Sequence, residues 1–247
     1  MTTLAPDIFK LLAAAIASRQ ALMSRRSDTD KEYFLQDWFA GLLAVAGYGL
    51  RVQGRNSTPD FLVVRDGVVE GYELKSLANV RSDRNPARPP CRADVDFNSG
   101  IPCGRFIKKR THRLPDEVTV SDGAVLRSYY LFVLYEPVEA LRVQGIAMVL
   151  ADGDFLNNDL ELAEGHLNVS EEGFGSYGDA FIRTRKMYRF PNPLTDPDFR
   201  YRTLLVTQEQ TGSLRLVARK QKTEVKTGVA RTFYAYEIAY PAVSGTV

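Results

Sequence analysis

Two cysteines, two histidines and a single tryptophan are all that 247 residues contain of those types. Cys91 and Cys103 have no zinc-ligand spacing, and His112 and His166 add few further donors, which sets aside a structural zinc site. The opening Met-Thr-Thr-Leu-Ala-Pro-Asp has neither a basic stretch nor a cleavage site, so no secretory leader is expected. A cytoplasmic protein with reduced thiols and no disulfide is the expectation. The apolar run at residues 11–17 is far too short to span a bilayer, so no membrane partner is expected. A dominant charge is missing too. The 32 basic and 30 acidic residues leave +2, which alone points to no class of partner. What remains is 45% hydrophobic and 25% charged, an ordinary globular balance in a chain long enough to bury a substantial core.

Apolar spacing predicts a helix over residues 5–24, with Ile8, Leu11, Leu12, Ala15 and Leu22 recurring at helical intervals and Pro6 in the first turn. A second helix is expected over 29–46. Thr29-Asp-Lys-Glu32 forms a capping box, Leu35, Phe39, Leu42 and Ala46 form the stripe, and Gly47-Tyr-Gly49 stops it. Trp38 falls in this helix and is expected in the core. A short strand over 50–53 follows. Residues 79–123 are rich in Pro, Arg, Asn, Asp and Gly, and a loop this long is usually functional or disordered. Later strands are expected over 128–136, buried on both faces, and over 143–150, 201–206, 214–218 and 232–239. A helix or turn is expected over 154–160. The expectation is one α/β domain over 1–247, with a core at about 29–150 and a C-terminal elaboration over 151–247.

The most informative stretch runs from Pro59 to Lys75. It reads as two apolar strands joined by a tight turn at Asp66-Gly67. Antiparallel pairing about that turn makes Asp60 and Glu73 cross-strand neighbours. Glu73 and Lys75 share one face, because side chains alternate along a strand. Two carboxylates so placed form a hard oxygen site suited to Mg²⁺, with the Leu74 carbonyl as a further candidate ligand. Such an ion polarises a phosphodiester and lowers the pKa of bound water, while Lys75 could orient that water or stabilise developing charge. Asp66 and Glu70 fall at the turn end of the hairpin and are weaker candidates. The plain alternative is a solvated Glu73–Lys75 ion pair on an exposed strand.

Pro59-Asp60 followed by Glu73-Leu74-Lys75 resembles the PD-(D/E)XK nuclease superfamily, the fold of most type II restriction endonucleases. The resemblance is specific over residues 29–77. It implies a restriction-endonuclease-like core, a central mixed β-sheet flanked by helices with additional strands and loops for DNA recognition. It also implies Asp60 and Glu73 as Mg²⁺ ligands, Lys75 as the residue assisting the water, and a glutamate on the preceding helix, for which Glu32 is the match by position. Glu32 could equally serve only its capping box. Gln36, one turn on, could support a ligand by hydrogen bonding.

Between Arg81 and Arg113 nine basic residues face three acids, a local net charge of +6, suited to DNA phosphates. Within it Asn98, Ser99 and Arg105 could read base edges, and Lys108, Lys109 and Arg110 could contact the backbone. A second candidate segment interleaves Arg183, Arg185 and Lys186 with Phe181 and Tyr188, though its alternation equally fits a strand with a solvated face. A third cluster, Arg215, Arg219, Lys220, Lys222, Lys226 and Arg231, reads as an exposed basic hairpin.

The expected function is a Mg²⁺-dependent, site-specific double-stranded DNA endonuclease of the type II restriction class. It would act as a homodimer beside a methyltransferase that protects host DNA. The alternatives are a structure-specific repair nuclease or junction resolvase on the same core, and a DNA-binding module without activity.

Overall fold

In the computed structural model the chain is α/β, with two helices against a large mixed sheet. The structure describes residues 3–18, 22–27, 33–52, 59–78, 94–97, 127–153, 186–189, 203–223 and 230–238. In chain order the elements are α1 (Ala5–Ala17), β1 (Leu22–Ser24), α2 (Tyr33–Val45), β2 (Gly49–Val52), β3 (Phe61–Arg65) and β4 (Val68–Ala78). Then come β5 (Asp94–Phe97), β6 (Arg127–Glu139), β7 (Arg142–Asp152), β8 (Lys186–Arg189), β9 (Thr203–Thr207), β10 (Arg215–Thr223) and β11 (Ala230–Ile238). The main sheet runs β10-β11-β9-β7-β6-β4-β3-β2, with β1 also on β7. The β4–β6 and β7–β9 pairs are parallel and the rest antiparallel. A separate two-stranded ribbon pairs β5 with β8.

The first helix ends at Ala17 rather than at residue 24. Leu22 continues the helical spacing on paper, but residues 22–24 instead pair with Gln144–Arg142 at the start of β7. Met23 is buried between exposed Leu22 and Ser24, so strand pairing overrides a local periodicity. The second helix behaves as its sequence suggests, with the stripe centred on Phe34, Leu35, Phe39 and Leu43 instead of Leu42. It stops at Gly47, whose φ of 80° needs a residue without Cβ. Gly47 N–H donates to Ala44 O and Tyr48 N–H to Leu43 O, both at 3.0 Å, a Schellman closure. Trp38 is half-buried and packs against the core rather than lying within it.

Alternation divides the sheet into two faces. One carries Phe61, Tyr72, Leu74, Tyr129, Leu131 and Leu150 against the helices. Phe39 lies 5.2 Å from Phe61 and 5.6 Å from Tyr72, and Tyr72 stacks 5.7 Å from Tyr129. The opposite face follows from the register: Glu73 pairs with Tyr130, Tyr130 with Ala151, Ala151 with Val206 and Val206 with Ala235. Tyr130, Phe132 and Val149 on that face are also fully buried, as the continuous apolar run of β6 requires.

Glu70, on the helix-packed face, is only 1% exposed. It accepts from the Thr3 hydroxyl at 2.5 Å, the Leu4 N–H at 3.1 Å and the Tyr72 hydroxyl at 2.9 Å. Leu4 is the N-cap of α1 and has no cap from its own side chain, so β4 caps this helix across the fold. Burial pushes the Glu70 carboxyl above its ordinary value of 4.5, and the hydrogen bonds only partly oppose that. Burial, and then the Glu70 charge, push the Tyr72 hydroxyl well above its ordinary value, so it stays a donor.

A raised carboxyl binds more protons folded than unfolded. Its contribution is therefore fully present below 4.5 and is lost as pH rises through the folded pKa. Glu70→Gln keeps an acceptor for Thr3 and Leu4 and cannot ionise. Urea unfolding of the variant is expected to lack this loss, so its stability rises relative to the parent between pH 4.5 and neutrality. Parallel pH profiles would contradict the assignment.

Nearby, Arg127 at the start of β6 bridges Asp152 at 3.2 Å and Glu209 at 2.6 Å. It ties β6 and β7 to the segment after β9.

Candidate active site

The β3–β4 hairpin turns at Asp66 (φ 51°) and Gly67 (φ 77°). Positive φ at both central residues is the type I′ turn that an Asp-Gly pair favours. The register runs from Arg65↔Val68 to Phe61↔Tyr72. The paired register ends there, with Asp60 immediately before Phe61 and Glu73 immediately after Tyr72. Both acids thus come to the end of the hairpin away from its turn, Glu73 on the face opposite Tyr72 and Asp60 with its carboxylate turned to the edge of β4 and to α2.

β3 stops at Phe61 while β4 continues to Ala78. Beyond Tyr72 the next β4 N–H on that side, from Leu74, needs an acceptor. Asp60 supplies it: Leu74 N donates to Asp60 Oδ2 at 2.8 Å. The other oxygen, Oδ1, accepts from Gln36 Nε2 on α2 at 3.2 Å. Two donors from different elements therefore hold one carboxylate, which fixes its orientation before any ligand arrives. Gln36→Ala is expected to lower activity at this site about 10- to 100-fold with a small change in stability. An unaltered rate would show that Asp60 is positioned by other groups.

Glu73 and Lys75 lie two apart on one face of β4, with Lys75 Nζ 3.0 Å from Glu73 Oε1. The side chains are 14% (Lys75) and 3% (Glu73) exposed. The solvated pair considered from sequence is therefore overturned: this is a largely desolvated ion pair. Such a pair gives little net stability and is costly to break, a combination that suits a site better than a scaffold.

The donor set fits a hard divalent cation. Asp60 and Glu73 are carboxylates at the same end of the hairpin, and the Leu74 carbonyl leaves β4 on the same side as the N–H that meets Asp60. Among the described residues no group of three or more His, Cys, Asp or Glu converges. Two carboxylates completed by waters and phosphate oxygens are the usual arrangement for Mg²⁺.

Glu32 and the capping box lie outside the described residues, as do Asn98, Ser99, Arg105, Lys108, Lys109, Arg110, Arg183 and Arg185. The expected turn at 154–160 also lies outside them. Lys186 opens β8, which pairs with β5 so that Lys186 stands opposite Phe97 and Arg189 opposite Asp94. The ribbon therefore joins the two segments expected to meet DNA. Glu70 is separated from the site by the strand's alternation and is engaged with α1. The tie from Leu74 N–H to Asp60 escaped the sequence reading, although the early end of β3 at Pro59-Asp60 would have called for an acceptor there.

Among the described residues no helix is long and apolar enough to cross a membrane. No protein-family model, no curated protein and no solved structure matches this chain.

Proposed function

We propose that this chain is a Mg²⁺-dependent, site-specific endonuclease of double-stranded DNA, similar to the type II restriction enzymes of the PD-(D/E)XK superfamily. The observation that carries the reading is the juxtaposition at the hairpin end: Asp60 bonded to the Leu74 N–H at 2.8 Å, next in the chain to Glu73, with Lys75 3.0 Å from Glu73. The mixed sheet with helices against one face supports the restriction-endonuclease-like core that the resemblance implies.

Asp60, Glu73 and the Leu74 carbonyl would hold Mg²⁺, which when bound supplies Lewis acidity at a phosphodiester oxygen and a more acidic water. Gln36 and the Leu74 N–H keep the Asp60 oxygens in place. Lys75 offers Nζ protons to the attacking water and to the phosphate oxygens as negative charge builds there. Its positive charge also offsets the repulsion between Glu73 and an approaching phosphodiester. Cutting both strands needs two such centres, so a homodimer is part of the proposal, together with a methyltransferase acting in the same system.

The test is incubation of purified protein with unmethylated phage DNA and Mg²⁺. Discrete fragments are expected, and chelation should abolish them. Cutting of branched substrates alone would make the protein a structure-specific nuclease, and binding without cutting would make it an inactive DNA-binding module. Cleavage that survives Asp60→Ala would sink the site assignment.

A further inference from the structure

Large apolar side chains left in water gather at one corner of the fold. Eight are exposed among the described residues, and four of them, Leu22, Tyr33, Val138 and Leu141, stand around the tip of the β6–β7 hairpin. β1 pairs Leu22–Ser24 with Gln144–Arg142 beside that tip. Arg25 N–H then donates to Leu141 O at 2.6 Å, and the Arg26 guanidinium lies 5.4 Å over the Tyr33 ring. Single exposed apolar residues are ordinary, whereas a gathered set marks an interaction surface.

Two backbone irregularities present this set. The register shifts between Pro137 and Glu139, so Val138 is the extra residue of a β-bulge, a device that re-aims a side chain. It is 49% exposed. Glu139 pairs with Arg142 across the two-residue connection Ala140-Leu141, and Leu141 has φ 60°. Positive φ at the second central position of a turn calls for Gly or Asn, and a leucine there is strained. Asp66, the other described non-glycine residue with positive φ, is of a type that tolerates it. Leu141 weakens its own turn and, at 42% exposed, gains little by burial, so its side chain serves a contact outside the fold.

The rim identifies the occupant. Glu139 and Arg142 pair at 3.4 Å and Arg26 and Asp37 at 3.2 Å, and all four are well exposed. Half-buried Arg25 and Glu136 add one charge of each sign. Equal numbers of both signs suit neither a polyanion nor a polycation. They suit a second copy, because across a two-fold axis the patch meets itself and each anion can face the other copy's cation. An apolar centre with a polar rim is the anatomy of such an interface.

We propose that the β6–β7 tip, with Leu22 of β1 and Tyr33 of α2, is the surface through which two copies of this chain form a two-fold dimer, and that Val138 and Leu141 are its apolar anchors. It supplies the two-centre assembly that the endonuclease reading calls for, and it stands without that reading.

Sedimentation equilibrium of the full chain, without DNA or Mg²⁺, is expected to show a reversible dimer. Val138→Ser/Leu141→Asn should weaken it about 10-fold or more, as the loss of central apolar anchors does. Glu139→Arg sets cation against cation across the axis and should weaken it by a similar factor. Asn suits the left-handed turn position, so Leu141→Asn alone should keep or raise the urea midpoint, read at a dilution where the parent is monomeric. A leucine needed by the fold itself would instead lower midpoint and dimerisation together, and that result would overturn the proposal. So would a parent that stays monomeric at every concentration, or a dimer as tight in the variants as in the parent. A dimer that cuts no DNA keeps this surface and removes the endonuclease reading. Cleavage with dimerisation untouched by these substitutions removes this surface alone.

Discussion

Lys75→Met is expected to lower DNA cleavage about 10³-fold or more, a rise of about 4 kcal/mol in the barrier. It is also expected to cost about 3 kcal/mol of folding stability. Both effects come from one geometry. Nζ lies 3.0 Å from Glu73 Oε1, and the Glu73 side chain is only 3% exposed. Removing the ammonium leaves a carboxylate charge in a largely dry site, and that desolvation dominates the stability loss. Methionine keeps the length of the stem, so lost packing contributes little. The decisive comparison is the double variant Glu73→Gln/Lys75→Met. It has no charge left to strand, so most of the stability should return while cleavage stays lost. Urea midpoints and single-turnover cleavage measured together read the two effects apart. A double variant no more stable than Lys75→Met would show that the ion pair is not what the single substitution breaks. Retained cleavage would remove Lys75 from the chemistry.

Tyr72→Ala should produce the largest loss of stability, about 5 kcal/mol. Truncating a fully buried aromatic ring costs about 3–5 kcal/mol through lost transfer energy and the cavity left behind. Tyr72 lies between Phe39 and Tyr129 at 5.6 and 5.7 Å, so its cavity would open where α2 meets β4 and β6. Its hydroxyl also donates to Glu70 at 2.9 Å, and a buried carboxyl losing a donor adds about 1 kcal/mol or more. Domains are stable by about 5–15 kcal/mol, so this variant sits near the threshold of folding. Tyr72→Phe separates the contributions, because it keeps the ring and should cost only about 1–2 kcal/mol. Equal losses in the two variants by denaturant midpoint would mean that the hydroxyl, not the ring, is the main contribution.

The hairpin was the most legible part of the chain, for a physical reason. Asp66-Gly67 can adopt the two positive φ values of a tight turn, and that turn brings Asp60 and Glu73 to the same end of the hairpin. The end of α2 was legible in the same way, because Gly47 supplies the conformation that closes a helix. The end of α1 was not, because nothing local distinguishes Leu22 as the next helical position from Leu22 as a strand residue. The partner that decides it, β7, lies about 120 residues away. Glu70 was placed correctly near the turn, yet its burial and its bond to the start of α1 depend on a helix that begins 66 residues earlier in the chain. The Glu73–Lys75 pair could be solvated or desolvated on sequence grounds, and burial overturned the solvated reading.

By itself, the sequence determined the residue types at the candidate site, the turn that brings them together and the concentration of positive charge in three segments. These depend on backbone preferences and on counting, both carried by neighbouring residues. The tertiary structure decided that Asp60 is held by Gln36 and the Leu74 N–H, and that Glu73 and Lys75 are largely out of water. Those facts depend on pairing between strands far apart in the chain. Strand register is selected by the burial of whole sheet faces, which no local window of residues contains.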